Sequence, residues 1–146
     1  MTRINTVPPR QLTDQHLVGE YNEIRRPVKL AINKYNKIGI RGIQQIQPQH
    51  YKLGSGHVLF FYDKLRYLYN RFVAIVGEMR LRDMNPTGSF DISQIPSDLF
   101  NDWTPRPQDH LVLSERLLEK IESSKIQWRY NKKPIDLEGA RRLLEL

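Results

Sequence analysis

The side chains best suited to chemistry lie at the two ends of the chain. Near the N-terminus, His16, Glu20 and Glu23 fall within a narrow sector of one helix at about 100° per residue, roughly a quarter turn from its apolar stripe. A face of that kind can hold an acid or base, and it is equally what a solvated polar face looks like, so spacing alone does not make Glu23 catalytic. Arg3, Arg10, Arg25 and Arg26 crowd the same region, with only Asp14, Glu20 and Glu23 close in sequence. Guanidinium groups at that density call for anions, and phosphates suit them better than carboxylates unless they are plain surface charge. Arg116 and Lys120, four residues apart, are a second pair of the same character. Trp128, Arg129, Tyr130, Lys132 and Lys133 interleave aromatic and basic groups, as base stacking combined with phosphate contact requires. The other reading of that segment is that Trp128 and Tyr130 dock on the core.

Other chemistries lack their residues. The four histidines, at 16, 50, 57 and 110, show no metal-binding spacing. Gly54-Ser55-Gly56 is too short for a phosphate-cradling loop and lacks the Lys that should follow, and no GxSxG elbow occurs. Cysteine is absent, which removes disulfides, thiolate zinc sites and thiol catalysis. The net charge of +7, from 23 Lys and Arg against 16 Asp and Glu, attracts polyanions and makes nucleic acid the first partner to consider. No apolar run is long enough to cross a bilayer and the start has no signal-like core, so a soluble, cytoplasmic protein is expected.

The elements that must position these groups are helical. Pro8 and Pro9 keep the N-terminal arm extended, Thr13 is placed to cap a helix, and Leu17, Tyr21, Ile24, Val28, Ala31 and Tyr35 give that helix one buried stripe. Pro27 lies inside the pattern, where a kink is expected, and Gly39 should stop the helix. A polar, Gly- and Pro-punctuated loop is expected over 39–56. Leu65, Leu68, Phe72, Ile75, Val76 and Met79 define a second, central helix, with Arg71 among the charges read as lying mostly off its stripe. Residues 91–107 read as a connection, Leu111 to Ile121 as a third helix, and Asp136 as the cap of a short tail helix. The length of 146 residues suits one compact all-α domain of three main helices, long loops and an extended N-terminal arm.

Met1-Thr2-Arg3-Ile4-Asn5, Leu12, Asp14-Gln15-His16-Leu17, Glu20-Tyr21, Glu23 and Arg26 resemble, without a gap, the N-terminal signature of the pyrimidine dimer DNA glycosylase/AP lyases of the phage endonuclease V type. Gly56-His57-Val58, Phe60 through Leu65, Asp91-Ile92-Ser93 and Ile95-Pro96 resemble its central blocks, and Arg116, Glu119-Lys120-Ile121 and Trp128 resemble its last helix and aromatic segment. The likeness spans residues 2 to about 133, so 134–146 reads as a C-terminal extension of a single 1–146 domain. The family commonly carries an arginine where Asn22 stands.

This resemblance implies a small all-α enzyme that binds lesion-containing double-stranded DNA as a monomer, flips a base opposite the lesion and cleaves the glycosidic bond without metal or organic cofactor. It implies that the nucleophile is the α-amine of Thr2, freed by removal of Met1. An α-amine has a pKa of about 7.7 to 8.0 against about 10.4 for lysine, so its neutral fraction at pH 7 is larger by roughly a few hundredfold, and nearby Arg3 and Arg26 push it further towards neutral. Glu23 is then expected to stabilise positive charge at the sugar C1′ and assist proton removal from C2′, so that the imine collapses by β-elimination. Arg3, Arg26, Arg116 and Lys120 are expected to hold phosphates, His16 to orient the sugar or phosphate, and Asn22, Arg25, Trp128, Arg129 and Tyr130 to contact DNA. The alternatives are the same chemistry on another damaged base or on abasic sites only, and a DNA-binding module without catalysis.

Overall fold

The computed structural model describes residues 3–146 and is mostly helical, with helices α1 (Asp14–Glu23), α2 (Arg26–Ile46), α3 (His57–Phe60), α4 (Leu65–Leu81), α5 (Pro107–Ser123) and α6 (Leu137–Leu143). One antiparallel hairpin, β1 (Arg129–Tyr130) and β2 (Lys133–Pro134), lies between α5 and α6. The helices expected around residues 65–79 and 111–121 form as α4 and α5. The caps are where the sequence puts them: Thr13 Oγ1 accepts the His16 N–H at 3.2 Å, and Asp136 accepts the Gly139 N–H at 2.7 Å. Asp109 accepts the Arg106 N–H at 2.8 Å behind Pro107, whose missing N–H costs nothing in a first turn.

Two boundaries differ from the sequence expectation. The first helix is not one kinked rod: α1 ends at Glu23 and α2 starts at Arg26, because Pro27 cannot accept a place inside a helix and instead occupies the first turn of a new one. Gly39 does break helical geometry, at φ 69° and ψ 179°, but the chain resumes helix to Ile46, where Ile43 is fully buried. The loop expected over 39–56 therefore shrinks by about half its length, since the apolar demand at Ile43 overrides the polar composition around it.

One buried cluster joins the arm, the helices and the tail, from Ile4, Val7 and Leu17 through Phe60, Leu68, Ile75 and Leu113 to Ala140 and Leu144. α1 packs on α4, and α6 packs on α5, so the stretch after Pro134 contributes Ala140 and Leu144 to the core. Under the arm, Tyr51, Phe60, Phe61, Tyr67 and Trp103 form an aromatic box with ring centroids 5.0 to 6.2 Å apart. Gly56 is required at its place: φ is 87°, and a Cβ there would sit 2.9 Å from the Pro48 ring. The turn it makes starts α3 and aims His57 at the arm. No described helix is long and apolar enough to cross a membrane.

Candidate active site

The N-terminal arm is held by buried polar bonds. The Ile4 N–H donates to His57 Nε2 at 2.8 Å, while His57 Nδ1 lies 2.8 Å from the Lys52 carbonyl, a pair of contacts that only the neutral Nδ1–H tautomer satisfies. Burial lowers the His57 pKa, and the bond to Lys52 only partly opposes it. The Ile4 and Asn5 carbonyls accept from the Tyr51 and Tyr67 hydroxyls, each at 3.1 Å. Burial raises both phenols, Tyr67 to about 12, so they remain donors.

Beneath the arm lies an ion pair whose side chains are 1% and 6% exposed, Glu20 and Arg71. Glu20 accepts from Arg71 Nε at 2.5 Å and Nη2 at 3.0 Å, and from the Asn5 N–H at 3.3 Å and Nδ2 at 2.7 Å. Arg71 Nη1 donates to the Val7 carbonyl at 2.6 Å. Burial alone would lower the Arg71 pKa, but the Glu20 charge outweighs it and the net direction is upward. The boundary face read on α1 is thus not uniformly solvated: Glu20 points inward, and Arg71, read as lying off the α4 stripe, is buried as its partner.

A cavity of about 360 Å³ opens beside this arm, lined by Arg3, Asn5, Gln15, His16, Gly19, Glu20, Asn22, Glu23, Leu117 and Lys120. It brings together Arg3, His16, Asn22, Glu23 and Lys120 from the expected set. Arg3 has its pKa lowered by burial and then by the charge of Arg116, which puts that guanidinium in electrostatic reach. His16 is depressed to about 4, by burial first and then by Arg3 and Lys120, so at pH 7 it is neutral. Glu23 bonds Arg26 Nη1 at 2.6 Å. Thr2 lies outside the described residues.

A second, open groove of about 700 Å³ adjoins the first, sharing Gln15, Gly19 and Asn22 and adding Asp14, Val18, Arg129 and Lys132. The hairpin forms its wall because its tight turn, with Asn131 at φ 48° and Lys132 at φ 69°, is tied down by Asp14, which accepts both N–H groups at 2.9 and 2.7 Å. Asp14 also bonds the buried Arg82 at 2.8 Å, and Gln15 bridges to the Gln127 carbonyl and the Arg129 N–H.

Trp128, Tyr130 and Arg25 are outside the linings of both cavities and make other contacts. Trp128 is buried, its ring 4.5 Å from that of His16, so it follows the core-docking reading and braces His16 from behind. Tyr130 lies 4.3 Å from the Arg82 guanidinium and donates to the Arg10 carbonyl at 2.8 Å. Arg25 is outside the cavity: it covers Tyr21 and Phe72 at 5.1 and 5.6 Å and bonds the Ser89 carbonyl. Asn5, Gln15, Glu20, His57, Arg71 and Arg82 carry roles that residue type alone does not signal. Apart from the local bonds of His57 to Lys52 and of Arg82 to Glu78, their partners lie 15 to 114 residues away, so no spacing rule reaches them.

A cavity walled by cations, one neutral imidazole and two carboxylates, of which Glu20 is neutralised by Arg71, is suited to hold a phosphodiester and move protons at the sugar between its phosphates. The model of the pyrimidine dimer DNA glycosylase family matches residues 1–92, and the chain belongs to that family. The match takes in the arm and α1 to α4; α5, which supplies Lys120 and Leu117 to the cavity, lies beyond it.

Proposed function

We propose that the protein is a glycosylase with AP lyase activity that attacks the sugar C1′ at a pyrimidine dimer with the α-amine of Thr2, exposed when Met1 is removed. The observation that carries this reading is the anchored arm: Arg3 lines the cavity that contains Glu23, and Thr2 is the residue before it. The amine bonds to C1′ as the base leaves, the sugar opens to an imine, and loss of the C2′ proton to Glu23 expels the 3′ phosphate by β-elimination. Arg3, Arg116 and Lys120 hold the flanking phosphates, with Arg26 both a phosphate contact and the partner that orients Glu23. Neutral His16, packed against Trp128, orients the sugar without adding a cation to a site already crowded with them. The open groove beside Asn22 and Arg129 offers room for a flipped base next to the reacting sugar. The enzyme acts as a monomer on duplex DNA.

Borohydride trapping tests the mechanism and the lesion together. Met-processed protein is incubated with duplexes carrying a thymine dimer, an abasic site or no damage. A covalent adduct on the dimer duplex, mapped to Thr2, is expected. An adduct on the abasic duplex alone would move the substrate to another base, a reading favoured by uncharged Asn22 in the cavity lining. No adduct on either would reduce the protein to a DNA-binding module.

A further inference from the structure

Asn5 carries an acceptor that the fold leaves unused. The residue is 3% exposed and lines the cavity, yet its Oδ1 has no hydrogen-bond partner among the described residues. The amide cannot simply be turned round. Its Nδ2 donates to Glu20 Oε1 at 2.7 Å, and the Arg71-paired carboxylate only accepts, so the reverse orientation would set oxygen against oxygen. The backbone is fixed as well, by Glu20 on the N–H and Tyr67 on the carbonyl. Native proteins retain few buried unpaired acceptors, and one carried by a residue that lines a reactive cavity calls for a donor that arrives with the substrate.

We propose that Asn5 is a positioning residue whose Oδ1 accepts a hydrogen bond from the O4′ hydroxyl of the opened sugar. This rests on the imine chemistry proposed above. In that chemistry the amine nitrogen, once bonded to C1′, forms the C=N bond with its lone pair while the C1′–O4′ bond breaks. The bonding electrons go to O4′, which takes up the proton that the nitrogen gives up, relayed by water, and becomes a hydroxyl. The closed sugar presents O4′ as an ether acceptor that repels Oδ1, whereas the opened sugar presents a donor that matches it. Asn5 thereby favours the ring-opened imine over the state before it.

The test compares the parent protein with Asn5→Leu and Asn5→Asp. The readouts are borohydride trapping on a natural abasic duplex and binding to a tetrahydrofuran duplex, whose ring cannot open. Asn5→Leu is expected to bind the tetrahydrofuran duplex as the parent does while trapping the natural site about tenfold more slowly. Asn5→Asp sets a second carboxylate beside Glu20 and is expected to trap slowly at neutral pH. Its protonated form again donates to Glu20 and keeps a carbonyl acceptor, so its rate should recover towards the parent's as pH falls. Parental trapping by Asn5→Leu, or equal losses in tetrahydrofuran binding and trapping, would overturn the proposal. If Asn5→Leu does not fold, the pH profile of Asn5→Asp decides, and a flat ratio to the parent overturns it. Failure of the parent itself to trap the abasic duplex would instead remove the imine reading on which the proposal stands.

Discussion

Glu20→Gln is the substitution whose outcome the arm geometry fixes most tightly. Glu20 is an acceptor for four donors, two on Arg71 and two on Asn5. A glutamine keeps one oxygen and turns the other into a donor, so two of those contacts become donor against donor, and Arg71, 7% exposed, is left charged without its counterion. Removing one partner of a buried pair costs about 3–5 kcal/mol. For a chain of 146 residues the unfolding entropy is on the order of 0.3 kcal/mol/K, so Tm should fall by roughly 10 to 16 °C. Arg71→Met should cost a similar amount, because it strands the carboxylate and the Val7 carbonyl. The double variant Glu20→Gln/Arg71→Met leaves no charge at this site and should be more stable than either single variant, an inversion that independent contributions cannot produce. Urea melts followed by far-UV circular dichroism measure all four proteins. Single-variant losses below about 1 kcal/mol, or a double variant as costly as the two singles combined, would show that the pair does not organise the arm.

Other expectations follow from the same geometry. Glu23→Gln should bind damaged duplex as the parent does and lose strand cleavage by at least about a hundredfold, and an unchanged cleavage rate in a gel assay would take Glu23 out of the reaction. His16, with its pKa near 4 in the folded protein and about 6.5 unfolded, leaves the unfolded state binding more protons between those values. Stability from His16 is therefore complete above about pH 6.5 and declines towards pH 4, by up to about 3 kcal/mol; His16→Gln should flatten that part of the urea-stability profile, and an equally steep profile would refute the assignment. Arg129→Ala should lower the salt slope of DNA binding by about 1, whereas Arg25→Ala, packed on Tyr21 and Phe72, should leave the slope unchanged and cost stability instead. Equal slopes for both variants would undo the division between groove and packing arginines.

Local signals were legible in the sequence and long-range ones were not. Thr13 and Asp136 act as caps because capping depends on atoms three residues away, and α4 and α5 follow from apolar residues at spacings of three and four. The gathering of Arg3, His16, Asn22, Glu23 and Lys120 in one cavity came from a resemblance to a family, not from spacing, because Lys120 reaches α1 only through the packing of α5. The burial of Glu20 and Arg71 is not legible in the sequence for a physical reason: a charge predicts exposure unless its partner is known, and here the partner is 51 residues away. Trp128 fits both stacking and docking in the sequence, because an aromatic beside basic residues suits either, and its burial against His16 decides for docking.

A chain terminus is ordinarily the most mobile part of a domain, a poor place from which to deliver a nucleophile within a fraction of an ångström. Here six hydrogen bonds from Ile4, Asn5 and Val7 to His57, Tyr51, Tyr67, Glu20 and Arg71 hold the arm. At about 0.5–1.5 kcal/mol each net, with about 1.5–3 kcal/mol for each of the buried Ile4 and Val7 side chains, detaching it costs roughly as much as the 5–15 kcal/mol that holds a typical domain together. The arm should then leave only when the whole protein unfolds, and the Ile4 and Asn5 amides should exchange with deuterium at the slow rate of the α4 core amides. Neutral His57 makes this conditional on pH: protonating Nε2 abolishes the acceptor for the Ile4 N–H, so Ile4 protection should fall at acid pH before that of α4. Fast exchange at Ile4 and Asn5 near neutral pH, with α4 still protected, would mean that the arm opens locally and that DNA, rather than the fold, sets the position of the amine.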